Sequence, residues 1–183
     1  MTTAAELILI PPVNIAPRSA TLVALMTQRV THSNARHSTK YSCQEAVVLA
    51  HGTVFTHTRP VPDSIRGPMR RCYANAQALR HRVPDLVYCA GYALPPDCDD
   101  LIFEHAWLMD PDGCVIDPTW GTSHLTGYVG VPLKDAHATR MRRTRTDILL
   151  GVPYRQMWAH GLPRDILHRP TQPAGQIIQP AQP

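Results

Sequence analysis

At 183 residues the chain is long enough for one domain with a real core, or for one domain with tails. Apolar residues make up 44%, ordinary for a globular protein, but aromatics are only 6% and there are 18 prolines, which predicts plentiful loops and extended connections. A formal charge of +4 falls well short of a dedicated nucleic-acid binder, and no apolar run approaches the ~20 residues needed to span a bilayer.

The first twelve residues lack the basic stretch of a signal peptide, so no leader is expected, and Leu7–Ile10 is a short strand candidate stopped by Pro11-Pro12. Ala20–Val30 reads as a short helix or strand burying Leu22, Leu25 and Met26. Thr31–Lys40, polar and carrying His32 and His37, reads as a solvated loop. Tyr41–Val54 is apolar around Ala46–Ala50 and broken at Gly52, and fits either a helix or a strand. Phe55–Met69, with three prolines and Gly67, is an irregular lead-in expected to wall a cleft.

Tyr73–Arg82 is rich in Ala, Gln, Leu and Arg and free of Pro and Gly. Its spacing predicts a helix with Ala74, Ala78 and Leu79 on the buried side, set off by Gly67-Pro68 before and Pro84 after. Cys72 then stands in or just before the first turn. Unsatisfied backbone N–H groups and the positive end of the helix dipole favour a thiolate there, and Arg70 and Arg71 add positive charge. The same N–H groups suit a developing oxyanion.

Leu86–Ala93 is short, apolar and aromatic, as a strand covered on both faces would be. Pro95, Pro96 and the acidic run Asp97–Asp100 form a surface loop. Leu101–Met109 is a second strand, carrying His105 between Glu104 and the apolar Ala106-Trp107-Leu108. The turn signal Asp110-Pro111-Asp112-Gly113 joins it to Cys114–Asp117 as an antiparallel hairpin. Counting outward from that turn, His105 and Asp117 lie at comparable distances on paired strands, where Asp117 can accept a hydrogen bond from the imidazole and fix its tautomer. A thiol presented by a helix end to such a pair is the arrangement of an activated nucleophile.

Gly121–Leu133 is Gly-rich and ends in a further strand over Tyr128–Val131. Lys134–Arg145 gathers Arg140, Arg142, Arg143 and Arg145. Without interleaved aromatics it reads as a solvated face rather than a phosphate-binding patch, which argues against nucleic acid as a partner. Tyr154–Leu167 supplies one or two short helices around Met157, Trp158 and Leu162. We expect 1–168 to form a single domain with its core in 66–133, and 169–183, dominated by Pro, Gln, Ala and Gly, to be a disordered tail or to lie extended on a neighbour.

Five cysteines, at 43, 72, 89, 98 and 114, make an odd set with no Cys-x-x-Cys pair. Neither a disulfide framework nor a paired-ligand zinc site is indicated, and no close spacing supports a metal site from Cys98 and His105. A reduced, cytoplasmic protein is the simpler expectation. Cys89 and Cys114 fall in apolar runs and read as buried, and Cys98 in the acidic loop as exposed.

Taken in order, Arg71-Cys72 with Ala76, a strand ending in Gly91-Tyr92, His105-Ala106-Trp107, and Asp117-Pro118-Thr119 resemble the core of the transglutaminase-like superfamily. The resemblance spans Arg70–Gly121. It implies a papain-like α+β fold, the Cys72 helix packed on an antiparallel sheet of Leu86–Ala93, Ile102–Met109, Cys114–Asp117 and Tyr128–Val131. By role, Cys72 is the nucleophile, His105 the base and Asp117 its orienter, with Gly91-Tyr92 and Pro118-Thr119 as framework. The family often has Gly directly before the Cys, where this chain has Arg71, and for its further oxyanion donor Gln44 is a candidate by chain order alone.

The implied activity is thiol acyl chemistry on peptide or carboxamide bonds of a protein or peptide substrate, hydrolysis ahead of cross-linking, with no cofactor. Asn75, one turn after Cys72, Trp107 beside His105, and Trp120 are expected to line the cleft, with a hydrogen bond to a neighbouring loop as the alternative for Asn75 and a place in the core as the alternative for Trp107 and Trp120. The alternative, from a different class, is a catalytically silent member serving as a binding or structural component of a larger assembly. The Pro/Gln tail suits that alternative and an intact triad does not.

Overall fold

The computed structural model describes residues 10–34, 39–144, 149–168 and 176–177. Its first helix, α1 (Ala16–Asn34), starts where Asn14 Oδ1 accepts from the Ala16 N–H, carries Pro17 in its first turn, and buries Leu22 and Met26 four residues apart. It therefore takes in Thr31–Asn34, expected in a loop. The Thr21, Thr27 and Thr31 hydroxyls each donate to the carbonyl four residues back, so the polar stretch stays compatible with a helix. The apolar run after Tyr41 splits at Gly52 into α2 (Gln44–His51), which buries Val47 and Val48, and strand β2 (Thr53–Phe55). The expectations for residues 7–9, for His37, for Arg145 and for most of the tail lie outside the described residues.

One mixed sheet holds eight strands. Besides β2 these are β1 (Val13–Asn14), β3 (His57–Thr58), β4 (Val87–Leu94), β5 (Phe103–Met109), β6 (Val115–Ile116), β7 (Gly127–Pro132) and β8 (Gln176–Ile177), in the order β1-β3-β6-β5-β4-β7-β2-β8. The centre is antiparallel: β4 pairs with β5 from Val87↔Met109 to Ala93↔Phe103, and with β7 from Cys89↔Pro132 to Leu94↔Gly127. The antiparallel sheet expected from β4, β5, β6 and β7 forms, and the whole sheet is mixed because β3, outside that expectation, pairs parallel to β6 through Thr58↔Val115. The reason is topological. β2 and β3 are separated in the chain by Thr56 alone, yet four strands stand between them in the sheet order. The sheet must therefore curl until both its margins meet the single stretch 53–58, whose first half pairs with β7 and whose second half pairs with β6.

Curling gives the sheet an inner and an outer surface. Inside lie Phe55, Cys89, Trp107, Val115 and Tyr128, with Phe55 edge-on to Trp107 at 5.5 Å and Trp107 against Tyr128 at 5.1 Å. Gly130 leaves the room this packing needs, because a Cβ there would stand 2.5 Å from the Trp107 ring. Outside, Tyr88, Ala90, Leu108, Ile116 and Val129 join α1, α2 and the helix α3 (Cys72–Arg82) in the larger core.

The buried face of α3 differs from the expected one. Ala74 and Ala78 are exposed, while Ala76 and Leu79 are buried together with Asn75, Gln77 and Arg80. Each polar side chain has a partner remote in sequence: Asn75 bonds Pro68 and Thr119, Gln77 Nε2 donates to the Ala138 carbonyl at 2.9 Å, and Arg80 pairs with Asp135. Asp135 opens α4 (Asp135–Thr144), on which Arg140, Arg142 and Arg143 are exposed, and α5 (Tyr154–His160) follows. Cys98, expected to be exposed, is half-buried, because the Arg18 guanidinium donates to the Pro95, Pro96 and Cys98 carbonyls and draws the acidic loop inward. Gln176–Ile177, within the expected tail, pairs with Thr53–Val54. Among the described residues no helix is long and apolar enough to cross a membrane.

Candidate active site

Cys72 is the first residue of α3 and is half-buried. Two features hold it. Arg70, at φ 63°, is a non-glycine residue in the left-handed region two positions before the thiol, a conformation that persists only where the surroundings impose it. Asn75 supplies that imposition: its Nδ2 donates to the Pro68 carbonyl at 2.8 Å and to Thr119 Oγ1 at 3.0 Å, while the Gly67 N–H donates to the Pro118 carbonyl at 2.7 Å. Gly67 is required, since a Cβ there would lie 2.1 Å from Asn75 Oδ1. Asn75 thus clamps the helix start to the lead-in loop and to the Asp117–Thr119 loop. It is framework, not the cleft-lining residue expected.

His105 points from β5 toward the inner side of the sheet and is 2% exposed. The hairpin register explains how it meets Asp117. Leu108 pairs with Ile116, so extending the ladder sets Asp117 opposite Trp107, one diagonal step from His105. Strand β6 ends at Ile116, ahead of Pro118, and the freed Asp117 reaches across: His105 Nε2 donates to its Oδ2 at 2.8 Å. The carboxylate is fully buried and well satisfied. Tyr128 Oη also donates to Oδ2, at 2.7 Å, and the Thr119 and Trp120 N–H groups donate to Oδ1 at 2.8 and 3.3 Å.

With Nε2 committed to Asp117, Nδ1 is the nitrogen left for Cys72, whose side chain acts electrostatically on the imidazole. Burial alone would push the imidazole down from its ordinary 6.5. The charge of Asp117 and its hydrogen bond, with Cys72 adding to them, more than offset this and raise it to about 9. The structure therefore brings together Cys72, His105 and Asp117, residues 45 positions apart at their extremes, around one ring. Compared with protein-family models, curated proteins and solved structures, the chain matches none. The site has to be read from its own geometry.

The tryptophans divide. Trp120 is half-buried and lies face to face with His105, ring centres 4.0 Å apart at 17°, and Phe103 meets it edge-on at 6.3 Å. Trp107 is 0% exposed and packs inside the sheet between Phe55 and Tyr128, so its expected place in the cleft is corrected to the core. Gln44 is buried at the start of α2, its amide nitrogen without a hydrogen-bond partner among the described residues. Tyr128 and Phe103 had no assigned role in the sequence. The available signal for Tyr128 was a tyrosine inside a buried strand, whose hydroxyl must find a partner.

Of the other thiols, burial pushes Cys43 and Cys89 up, and burial with the charge of Asp110 raises Cys114 to about 11. Among the described residues no group of three or more His, Cys, Asp or Glu side chains is arranged to hold a metal ion.

Proposed function

We propose that this protein is a thiol-dependent acyl-transfer enzyme with a papain-like, transglutaminase-like core, cutting peptide or carboxamide bonds of protein or peptide substrates. One observation carries the reading: a single imidazole is bonded on Nε2 to a buried carboxylate and also interacts electrostatically with the thiol that opens a helix. A histidine buried for packing alone needs no thiol, and a thiol buried for packing alone needs no base.

Cys72 passes its proton to His105, and the sulfur forms a bond to the substrate carbonyl carbon. The first-turn N–H groups of α3 are suited to the oxyanion that develops. The C–N bond then breaks, the imidazolium proton goes to the departing nitrogen, and a thioester remains on Cys72. Water attacks the thioester with His105 taking its proton, the C–S bond breaks, and acid and free thiol are released. No redox partner enters this balance. Water as acceptor makes the enzyme a protease, amidase or deamidase; an amine acceptor would use the same intermediate. The free thiols at all five cysteines suit a reducing, cytoplasmic setting.

The test is alkylation by iodoacetamide between pH 6 and 8, read by mass spectrometry at each cysteine, in the wild type and in His105→Ala. Cys72 is expected to react at least roughly tenfold faster than the other four near pH 6.5, and to lose that lead in His105→Ala. Equal labelling, or a lead that survives the substitution, removes the catalytic reading.

A further inference from the structure

We infer that Phe103 and Trp120 form an aromatic wall that selects the amine half of the substrate, so that the bond cut is followed by a residue with a large apolar or aromatic side chain. The inference rests on the acyl-transfer reading above and names the substrate that reading leaves open.

The chemistry divides the site in two. When the thioester forms, the acyl half stays on the Cys72 sulfur, while the amine half leaves with the proton of His105. Groups packed on the imidazole therefore border the amine half. Trp120 is packed on it, face to face at 4.0 Å, and Phe103 extends that contact edge-on at 6.3 Å and 89°. Phe103 precedes His105 by two residues on β5, so the two side chains leave the same face of the strand.

Exposure rises along this face toward one end. Trp107 is 0% exposed, His105 2% and Phe103 41%. The rings form a ladder from the interior of the curled sheet to solvent, and its open rung is Phe103. Among the described residues Phe103 belongs to neither buried cluster, so packing does not explain a large apolar side chain there. A Phe, Tyr, Leu or Met side chain on the departing residue would cover that ring and remove apolar area from water beside the proton donor itself. A Gly or Ser in its place would leave Phe103 as exposed as it is now.

A peptide library randomised around its centre, incubated with the full-length protein and read by mass spectrometry for cleavage sites, tests this, with Cys72→Ala as the blank. Cuts followed by Phe, Tyr, Leu or Met are expected to outnumber cuts followed by Gly or Ser by roughly tenfold. Phe103→Ala should bring that ratio close to one, and Phe103→Leu should restore most of it. Cys72-dependent cutting that ignores the following residue, or a preference that Phe103→Ala leaves intact, overturns the inference and leaves the acyl-transfer reading standing. A library left uncut while Cys72 is still alkylated ahead of the other cysteines removes the hydrolytic reading, and this inference with it.

Discussion

The hairpin of β5 and β6 carries a buried aspartate at each end, and the two ends do different work with the same group. At the turn, Asp110 is 1% exposed. It accepts from Arg59 Nε at 2.6 Å and from the Cys114 N–H at 2.8 Å, while the other nitrogens of Arg59 reach Asp112 and the Ile10 carbonyl. At the open end, Asp117 is 0% exposed and accepts from His105, Tyr128 and two backbone N–H groups. Both carboxylates are satisfied; they differ in the partner. A guanidinium keeps its proton throughout the working pH range, so the Asp110 end is a permanent staple. An imidazole gives its proton up, so the Asp117 end can relay one. Burial alone does not make such a relay: His137, 4% exposed, is held below the ordinary histidine value by burial, with the charge of Arg140 adding to it, and neither its bond to the Leu150 carbonyl nor the charge of Asp165 reverses the shift.

Breaking the staple should have the largest effect on stability and little on chemistry. Asp110→Ala leaves the buried Arg59 with only Asp112 and the Ile10 carbonyl and is expected to lower unfolding stability by about 3 kcal/mol, measured by urea titration, with Cys72 labelling unchanged in the protein that remains folded. If Cys72 labelling collapses in that folded fraction, the division between the two ends is wrong. Asp117→Asn should do the converse. It keeps the shape but removes the charge that holds the imidazole up, and is expected to reduce Cys72-dependent hydrolysis by roughly 10³–10⁴-fold. A loss below about tenfold would show that the carboxylate charge does not orient the base.

The two ends also separate with pH. His105 is raised on folding, from 6.5 to about 9. Such a group contributes its stability in full below the unfolded value and loses it as pH rises through the folded one. Stability should therefore fall between about pH 6.5 and pH 9, by on the order of 3 kcal/mol at roughly 1.4 kcal/mol per pH unit. Denaturation midpoints measured across that range for the wild type and for His105→Ala should diverge below pH 6.5 and converge toward pH 9. Parallel curves would mean that the imidazole is not held up by Asp117. Activity should decline in the same window, as the imidazolium that protonates the leaving amine is lost.

How much of this could be read from the sequence depended on whether the signal was local. The Asp110–Gly113 turn, the apolar run of β4 and the Gly67-Pro68 and Pro84 boundaries of α3 act within a few residues, and the elements fall close to where those signals put them. The closure of the sheet was not legible. It depends on β2 and β3, of three and two residues, pairing with strands 57 to 77 positions further along the chain. The buried face of α3 differs from the expected one for a related reason: Asn75, Gln77 and Arg80 are buried because Thr119, Ala138 and Asp135 meet them, and helical periodicity sees apolar side chains only. Cys72, His105 and Asp117 were recognisable by residue type and order. Tyr128 was not, because its hydroxyl meets Asp117 only once β7 has taken its place in the curled sheet.

That hydroxyl offers the finest test of the comparison. Tyr128→Phe keeps the ring that packs on Trp107 and removes one of the two donors to Asp117 Oδ2, leaving His105 as the other. The lost bond to a charged group is expected to lower stability by about 1.5 kcal/mol. Its effect on the site has a sign that damage to the fold would not share. With one donor fewer, more of the carboxylate charge falls on the imidazole, so the alkaline limb of the activity profile should move to higher pH. In Asp117→Asn the same limb should move lower, because the largest group opposing burial of His105 is then gone and Cys72 alone acts against it. If Tyr128→Phe lowers stability and leaves the limb in place, Tyr128 is a second staple, like Arg59. If the limb moves up, the hydroxyl tunes the relay, and the open end of the hairpin holds four positioned groups rather than three.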